Sequence, residues 1–169
     1  MEHEAIKILN ANGTMAISTV RPDGWPQTTV VGYANQGFDL VFMIFRSGQK
    51  FANIQHDDRI SIAVASRTDD INELQAVYAG AHAKEITDEA ERKEAWRQLM
   101  QRHANLAGFQ MPEGSEAVFM RAKCQYISVL DYTQGIGHRE QLVIENGVPV
   151  DTDSKKDAWG EAAASKSAE

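Results

Sequence analysis

The sequence predicts a mainly β fold with α additions, a barrel built from about six mostly antiparallel strands. Three observations carry that expectation. Apolar-rich runs of strand length dominate the first 130 residues, and turn-forming residues separate the early ones at hairpin distances. A single long stretch of helical spacing then interrupts them.

Each element has its own warrant. Residues 2–10 place Ala5, Ile6 and Leu9 on one side of a short helix, and Asn12-Gly13 is expected to be its left-handed cap. Residues 14–20 (TMAISTV) read as a strand, closed by the turn Arg21-Pro22-Asp23-Gly24, where proline presets φ and glycine accepts a positive one. Residues 27–34 are the second strand, and Asn35-Gln36-Gly37 turns it into a third over 38–45. That third run is nearly all apolar, so both its faces should be covered. Residues 40–45 are hard to cover within one small chain, which predicts a tight dimer. A short helix over 47–55 leads to strands over 59–66 and 74–87. Asp88 opens the long helix with Glu91 as its capping-box partner, and Trp96, Leu99, Met100 and His103 form the inner stripe. A last long strand covers 118–130. Residues 1–150 are expected to form one domain. Residues 151–169 turn polar and rich in Ala, Ser and Lys, with Trp159 the exception, and are expected to be a dispensable disordered tail.

Composition narrows the function classes. With 169 residues, 43% apolar and 24% charged, the chain reads as a soluble globular protein. Its formal charge of −7 argues against nucleic acid or an anionic membrane as the main partner. Cys124 is the only cysteine, so no internal disulfide and no multi-cysteine metal site can form, and it reads as a small core residue. The acidic start, MEHEAIKIL, is unlike a secretory signal, and no window reaches the roughly eighteen apolar residues of a membrane span. A cytoplasmic location is the expectation. His56, His82, His103 and His138 lack metal-ligand spacing, so no metal site is expected.

The stretch FRSGQKFANIQHDDRISIAV (45–64) breaks a strand with Ser47-Gly48-Gln49-Lys50 and starts a helix at once. A helix N-terminus presents unpaired N–H groups and the positive end of a dipole, so a serine and a lysine there suit a phosphate. The bland alternative makes Ser47 an ordinary N-cap and Lys50 a solvated cation.

Strand TMAISTV, turn RPDGWP, strands QTTVVGYA and FDLVFMIF, then the S-x-x-K-x-x-N-I-x-x-D-x-R segment from Ser47 to Arg59 and Gln75 in LQAVYAGAHA: this order resembles the pyridoxamine 5′-phosphate oxidase-like, FMN-binding split β-barrel family, general-stress-protein-26-like flavoproteins included. The likeness covers residues 5–145 or so. It implies a Greek-key-like split barrel that forms a homodimer with two FMN molecules at the subunit interface. It implies phosphate contacts from Ser47 and Lys50, contacts to ribityl and ring from Thr28, Thr29, Val30, Met43 and Ile44, and a ring contact from Gln75. His138 and Tyr132, flanking a glycine-bearing loop, are ring-side candidates for a hydrogen bond or a proton. Three departures stand out. Gln49 occupies the place of a basic residue, Thr29 and neutral neighbours replace the charged ends of the second strand, and DYTQGIGHRE stands where the oxidase carries tryptophan and arginine. The resemblance therefore implies a flavin reductase or oxidoreductase acting on an undefined small molecule, with an electron donor such as NAD(P)H, rather than pyridoxamine phosphate oxidation. A non-enzymatic flavin carrier or sensor, and a deazaflavin- or heme-binding protein on the same fold, are the alternatives.

Overall fold

Alternation of period two sets which face of each strand is buried, and the turns between strands set their order. The computed structural model describes the backbone of residues 1–106, 108–113 and 116–156, and side chains as far as residue 150. The elements are α1 (Glu2–Ala11), β1 (Thr14–Val20), β2 (Pro26–Gln36), β3 (Asp39–Phe45), α2 (Gln49–His56), β4 (Arg59–Ala65), β5 (Gln75–Glu85), α3 (Glu89–Arg102), β6 (Ala117–Asp131), β7 (His138–Glu145) and β8 (Val148–Lys156). All strand pairs are antiparallel, in the order β3-β2-β1-β4-β5-β6, and a further β3–β6 pairing closes the six into a barrel. β7 and β8 extend the sheet beyond β6.

The barrel interior is filled by alternate residues: Met15 and Ile17 from β1, Ile60, Ile62 and Val64 from β4, Val77 and Ala79 from β5, Ile127 and Val129 from β6. α1 adds Ala5, Ile8 and Leu9 to the same core. Its C-terminal carbonyls are collected by Arg102, which donates to the backbone oxygens of Leu9, Asn10 and Asn12. The Tyr33 hydroxyl also donates to Leu9 O at 2.7 Å. Cys124 is buried in this core, and burial pushes its thiol up to about 12.

Three expectations need correction. No left-handed cap forms at Asn12-Gly13: Asn12 ends α1 with extended backbone at φ −119°, and Gly13 has no positive φ. The apolar run 40–45 does not require a second chain for its cover. Leu40, Phe42 and Ile44 face the barrel interior, while Val41 packs with Phe119, Ala95 and Leu99 beneath α3. Only Phe45 is left largely exposed. Asp88 does cap α3 by accepting from the Glu91 amide, but the Glu91 carboxylate does not close a capping box. It accepts from Arg121 on β6 at 3.0 Å instead.

The strands β7 and β8 were not expected. The His-Arg-Glu-Gln opening of β7 hides the alternation that Leu142 and Ile144 carry inward. The signal that could have found them is Asn146-Gly147, whose φ values of 52° and 80° make the primed turn of a tight hairpin. β8 runs on to residue 156, across the start of the expected tail; 157–169, with Trp159, lie outside the described residues.

Candidate functional site

The barrel is split along one seam. β2 pairs with β3 only through Tyr33–Gln36 against Asp39–Phe42, while the first part of β2 pairs with β1 alone. Thr28, Thr29 and Val30 therefore lie on one lip of an opening, and Met43 and Ile44 lie on the other. Their side chains have different fates. Thr28 shares a 2.7 Å hydrogen bond with Ser18, and Val30 is 70% exposed. The Thr29 hydroxyl is buried and has no hydrogen-bond partner among the described residues. Ile44 is turned into the barrel core and Met43 into the cluster under α3, so these two offer the seam only their backbone.

α2 sits at the end of this seam, and one residue fixes it there. Asn53 is fully buried and its amide donates to Thr19 Oγ1 and to Gln27 Oε1, both at 2.9 Å, while accepting from Gln49 at 2.8 Å. A buried amide with its bonds made is a strong positional constraint. Sequence alone marks Asn53 as part of the motif and assigns it no role, because its partners Thr19 and Gln27 lie far back along the chain.

The first turn of α2 differs in detail from the expectation. Gly48 is the N-cap, with extended backbone, and no side chain caps the helix. The Ser47 hydroxyl and amide both donate to Glu116, just before β6. Those two bonds, with the Arg46 charge nearby, hold the Glu116 carboxyl below its ordinary range. Arg46 donates to Glu85 at 2.6 Å and lies over the Phe51 ring. Lys50 is half-buried, burial lowers its pKa, and it has no ion-pair partner among the described residues. A cation drawn partly out of water with no counter-charge is an unbalanced arrangement that a bound anion would correct.

The remaining expected residues are elsewhere. Gln75 opens β5 and pairs with Asp131 at the far end of β6, donating its amide to Glu4 and Asp131, both at 3.3 Å. Asp131 is buried, which would raise its pKa, yet bonds from Gln134, Thr133 and Gln75 bring it below the ordinary value. His138 lies 3.2 Å from Glu140, and with Glu4, Asp131 and Gln134 these two line a cavity of about 260 Å³. Tyr132 is half-buried in a short 3-10 turn anchored to Leu74 O. So Gln75, Tyr132 and His138 come together, and Ser47 and Lys50 come together, but the two groups stand at opposite ends of β6. That strand has 15 residues, a contour on the order of 45 Å.

A closed six-strand antiparallel barrel, split at one seam with a short helix seated at its mouth, defines the class. The family model for pyridoxamine 5′-phosphate oxidase matches residues 1–131, and the chain belongs to that family. No curated protein matches the sequence. Solved structures with the same fold include a heme binding protein from Mycobacterium smegmatis (20% identity, TM-score 0.69), covering 97% of this chain and 60% of that one. The chain thus spans about three fifths of that protein. A FAD-binding protein from Mesorhizobium loti matches at 19% identity and TM-score 0.60, over 76% of this chain and 91% of that one. General Stress Protein 26 from Bacillus anthracis str. Sterne matches at 17% identity and TM-score 0.61, over 76% and 92%. At these identities the likeness is one of fold. Among the described residues no helix is long and apolar enough to cross a membrane. None of their His, Cys, Asp and Glu side chains form a group of three or more that could hold a metal ion.

Proposed function

We propose that this chain is an FMN-binding flavoprotein of the cytoplasm, working as a homodimer and passing electrons between a small molecule and a donor such as NAD(P)H. The observation that carries the reading is Lys50, half-buried at the start of α2 beside the split seam and without an ion-pair partner among the described residues. The orphaned Thr29 hydroxyl on the adjoining lip fits the same occupant, because it is a buried polar atom in want of a partner. Membership of the family and the FAD-binding relative support a flavin; the phosphate-seeking end of the seam supports FMN.

When bound, the flavin supplies the redox chemistry. Lys50 would hold the phosphate, with the Ser47 hydroxyl turning to it from Glu116. The backbone of β2 and β3 would flank the ribityl chain, and Thr29 would offer its free hydroxyl. Gln75 would meet the ring, with His138 and Tyr132 near it as hydrogen-bond partners or a proton source. Gln75 stands too far along β6 to serve the same molecule as Lys50 of its own chain, which is why the reading needs a second copy.

A surface suited to that copy exists. Across six strands, Thr28, Ser18, Ser61, Gly80, Tyr126 and Val143 form one row, and Val30, Ala16, Ala63, Tyr78, Ser128 and Gln141 the next. None of the twelve is charged, and the helices bury their apolar residues elsewhere, α1 in the barrel interior and α3 on Val41 and Phe119. An uncharged sheet face of this width, with Val30 and Tyr126 exposed at 70% and 52%, favours association with its own copy.

Titrating FMN and riboflavin into wild type and Lys50→Ala tests the reading. A charge-assisted phosphate contact contributes about 1.5–3 kcal/mol, or about ten- to a hundredfold in affinity. FMN binding should weaken by that factor while riboflavin binding stays unchanged. Equal losses for both would leave Lys50 a purely structural role. Heme is the second reading, favoured by the near-complete overlap of this chain with the Mycobacterium smegmatis heme binding protein. A sharp Soret band in the purified protein, in place of flavin bands, would establish it. Reduction of bound flavin by NAD(P)H separates an oxidoreductase from a carrier or sensor.

A further inference from the structure

We propose that a basic recess on the outer face of β5 and β6 is a second ligand site, one that takes an organic phosphate. It is a cavity of about 480 Å³ lined by Asp58, His82, Lys84, Arg121, Lys123 and Gln125. That volume lies within the range of small-molecule sites and exceeds what inorganic phosphate alone would fill.

The strand register makes the recess unusual. His82 stands directly opposite Lys123, and Lys84 directly opposite Arg121. Like charges at directly opposed positions destabilise a sheet, so the Lys84–Arg121 pair works against the fold, and Lys123 two residues along β6 adds a third positive charge on the same face. These charges gather in a chain whose formal charge is −7, where acidic partners are plentiful. Local features that oppose stability without a structural return concentrate at functional sites.

The acids nearby leave part of that charge unmatched. Asp58 accepts from His82 Nδ1 at 2.7 Å and steadies the imidazole. Glu91 takes Arg121 at 3.0 Å, and Asp39 faces Lys123 from the other neighbouring strand without forming an ion pair. Lys84 and Lys123 have no ion-pair partner among the described residues, and the two sit on adjacent strands at the mouth of the same recess. Two ammonium groups, a guanidinium and an imidazole facing one cavity match the several oxygens of a phosphoryl group, and the Gln125 amide adds a neutral hydrogen-bonding group for the organic part. This site is independent of the flavin reading, because Lys50 belongs to α2 and none of the recess residues do.

The test is calorimetric titration of adenosine 5′-monophosphate, with adenosine as the uncharged control, into the full chain, both as purified and after addition of FMN. Wild type should bind the nucleotide and not the nucleoside. The double substitution Lys84→Gln with Lys123→Gln should weaken the nucleotide at least tenfold, leave FMN binding unchanged, and leave the ligand-free melting temperature equal or higher, because repulsion has been removed. No binding of the nucleotide, equal binding of nucleoside and nucleotide, or unchanged affinity in the double variant would overturn the proposal. A lowered melting temperature would also overturn it, since the lysines would then serve the fold.

Discussion

Lys50 is drawn partly out of water with no ion-pair partner among the described residues, a position that a bound anion would favour. Burial lowers its pKa in the folded chain, so the unfolded chain binds more protons between that lowered value and the ordinary 10.5. Stability of the ligand-free protein should therefore rise as pH increases through that window, and this rise should vanish in Lys50→Met. Near neutral pH, ligand-free Lys50→Met should melt at or slightly above wild type, by on the order of 1–2 °C. Thermal melts across a pH series check both points, and a clear loss of stability near neutral pH would make Lys50 a support of the fold rather than a phosphate ligand. Asn53 is the opposite kind of residue. Asn53→Ala strips partners from Thr19, Gln27 and Gln49 in one step; the Thr19 hydroxyl is left buried and unpaired, which costs about 1–3 kcal/mol, while half-buried Gln27 and exposed Gln49 lose less. Denaturant unfolding should show a loss of about that size at least, with FMN affinity falling as α2 loosens.

At the scale of elements, much of the barrel could be read from the chain because its physics is local. Each of β1 to β4 alternates or runs apolar over a strand's length and is bounded by turn residues with defined φ requirements, such as Gly24 at 86° and Gly37 at 59°. What escaped reading depends on long-range register. The seam exists because β2 pairs with β1 as far as Gly32 and with β3 only from Tyr33 on, and no periodicity encodes that switch of partner. The cover that α3 gives to Val41 and Phe119 likewise joins segments far apart in sequence. The motif around Ser47 was legible as a pattern, but its pairing with Glu116 was not, because the partner lies 69 residues away. Gly80 sets the position of Tyr126 on the uncharged face. A Cβ there would lie 2.2 Å from the Tyr126 ring, so Gly80→Ala must swing that ring off the uncharged face. The ring is half exposed and can move, so the monomer should remain folded while self-association weakens. Sedimentation alongside circular dichroism would show this; an unfolded variant would mean that the Tyr126 stacking belongs to the fold.

For the whole molecule, the proposed flavin site draws on two chains. The Ser47–Lys50 segment and Gln75 stand at opposite ends of β6. A dimer built this way should bury more than about 1,000 Å², and wild type should sediment as a dimer at micromolar concentration. Mixed dimers provide the most direct measurement. Lys50→Ala and Gln75→Ala are each expected to bind FMN weakly, and the two proteins are then mixed, allowed to exchange subunits, and titrated with FMN. If each site takes Lys50 from one chain and Gln75 from the other, every heterodimer regains one intact site, and about a quarter of the wild-type number of tight sites returns. If both residues served a flavin within one chain, no mixture could restore a site. Recovery near a quarter is the predicted result; no tight sites, despite demonstrated subunit exchange, would contradict the two-chain site.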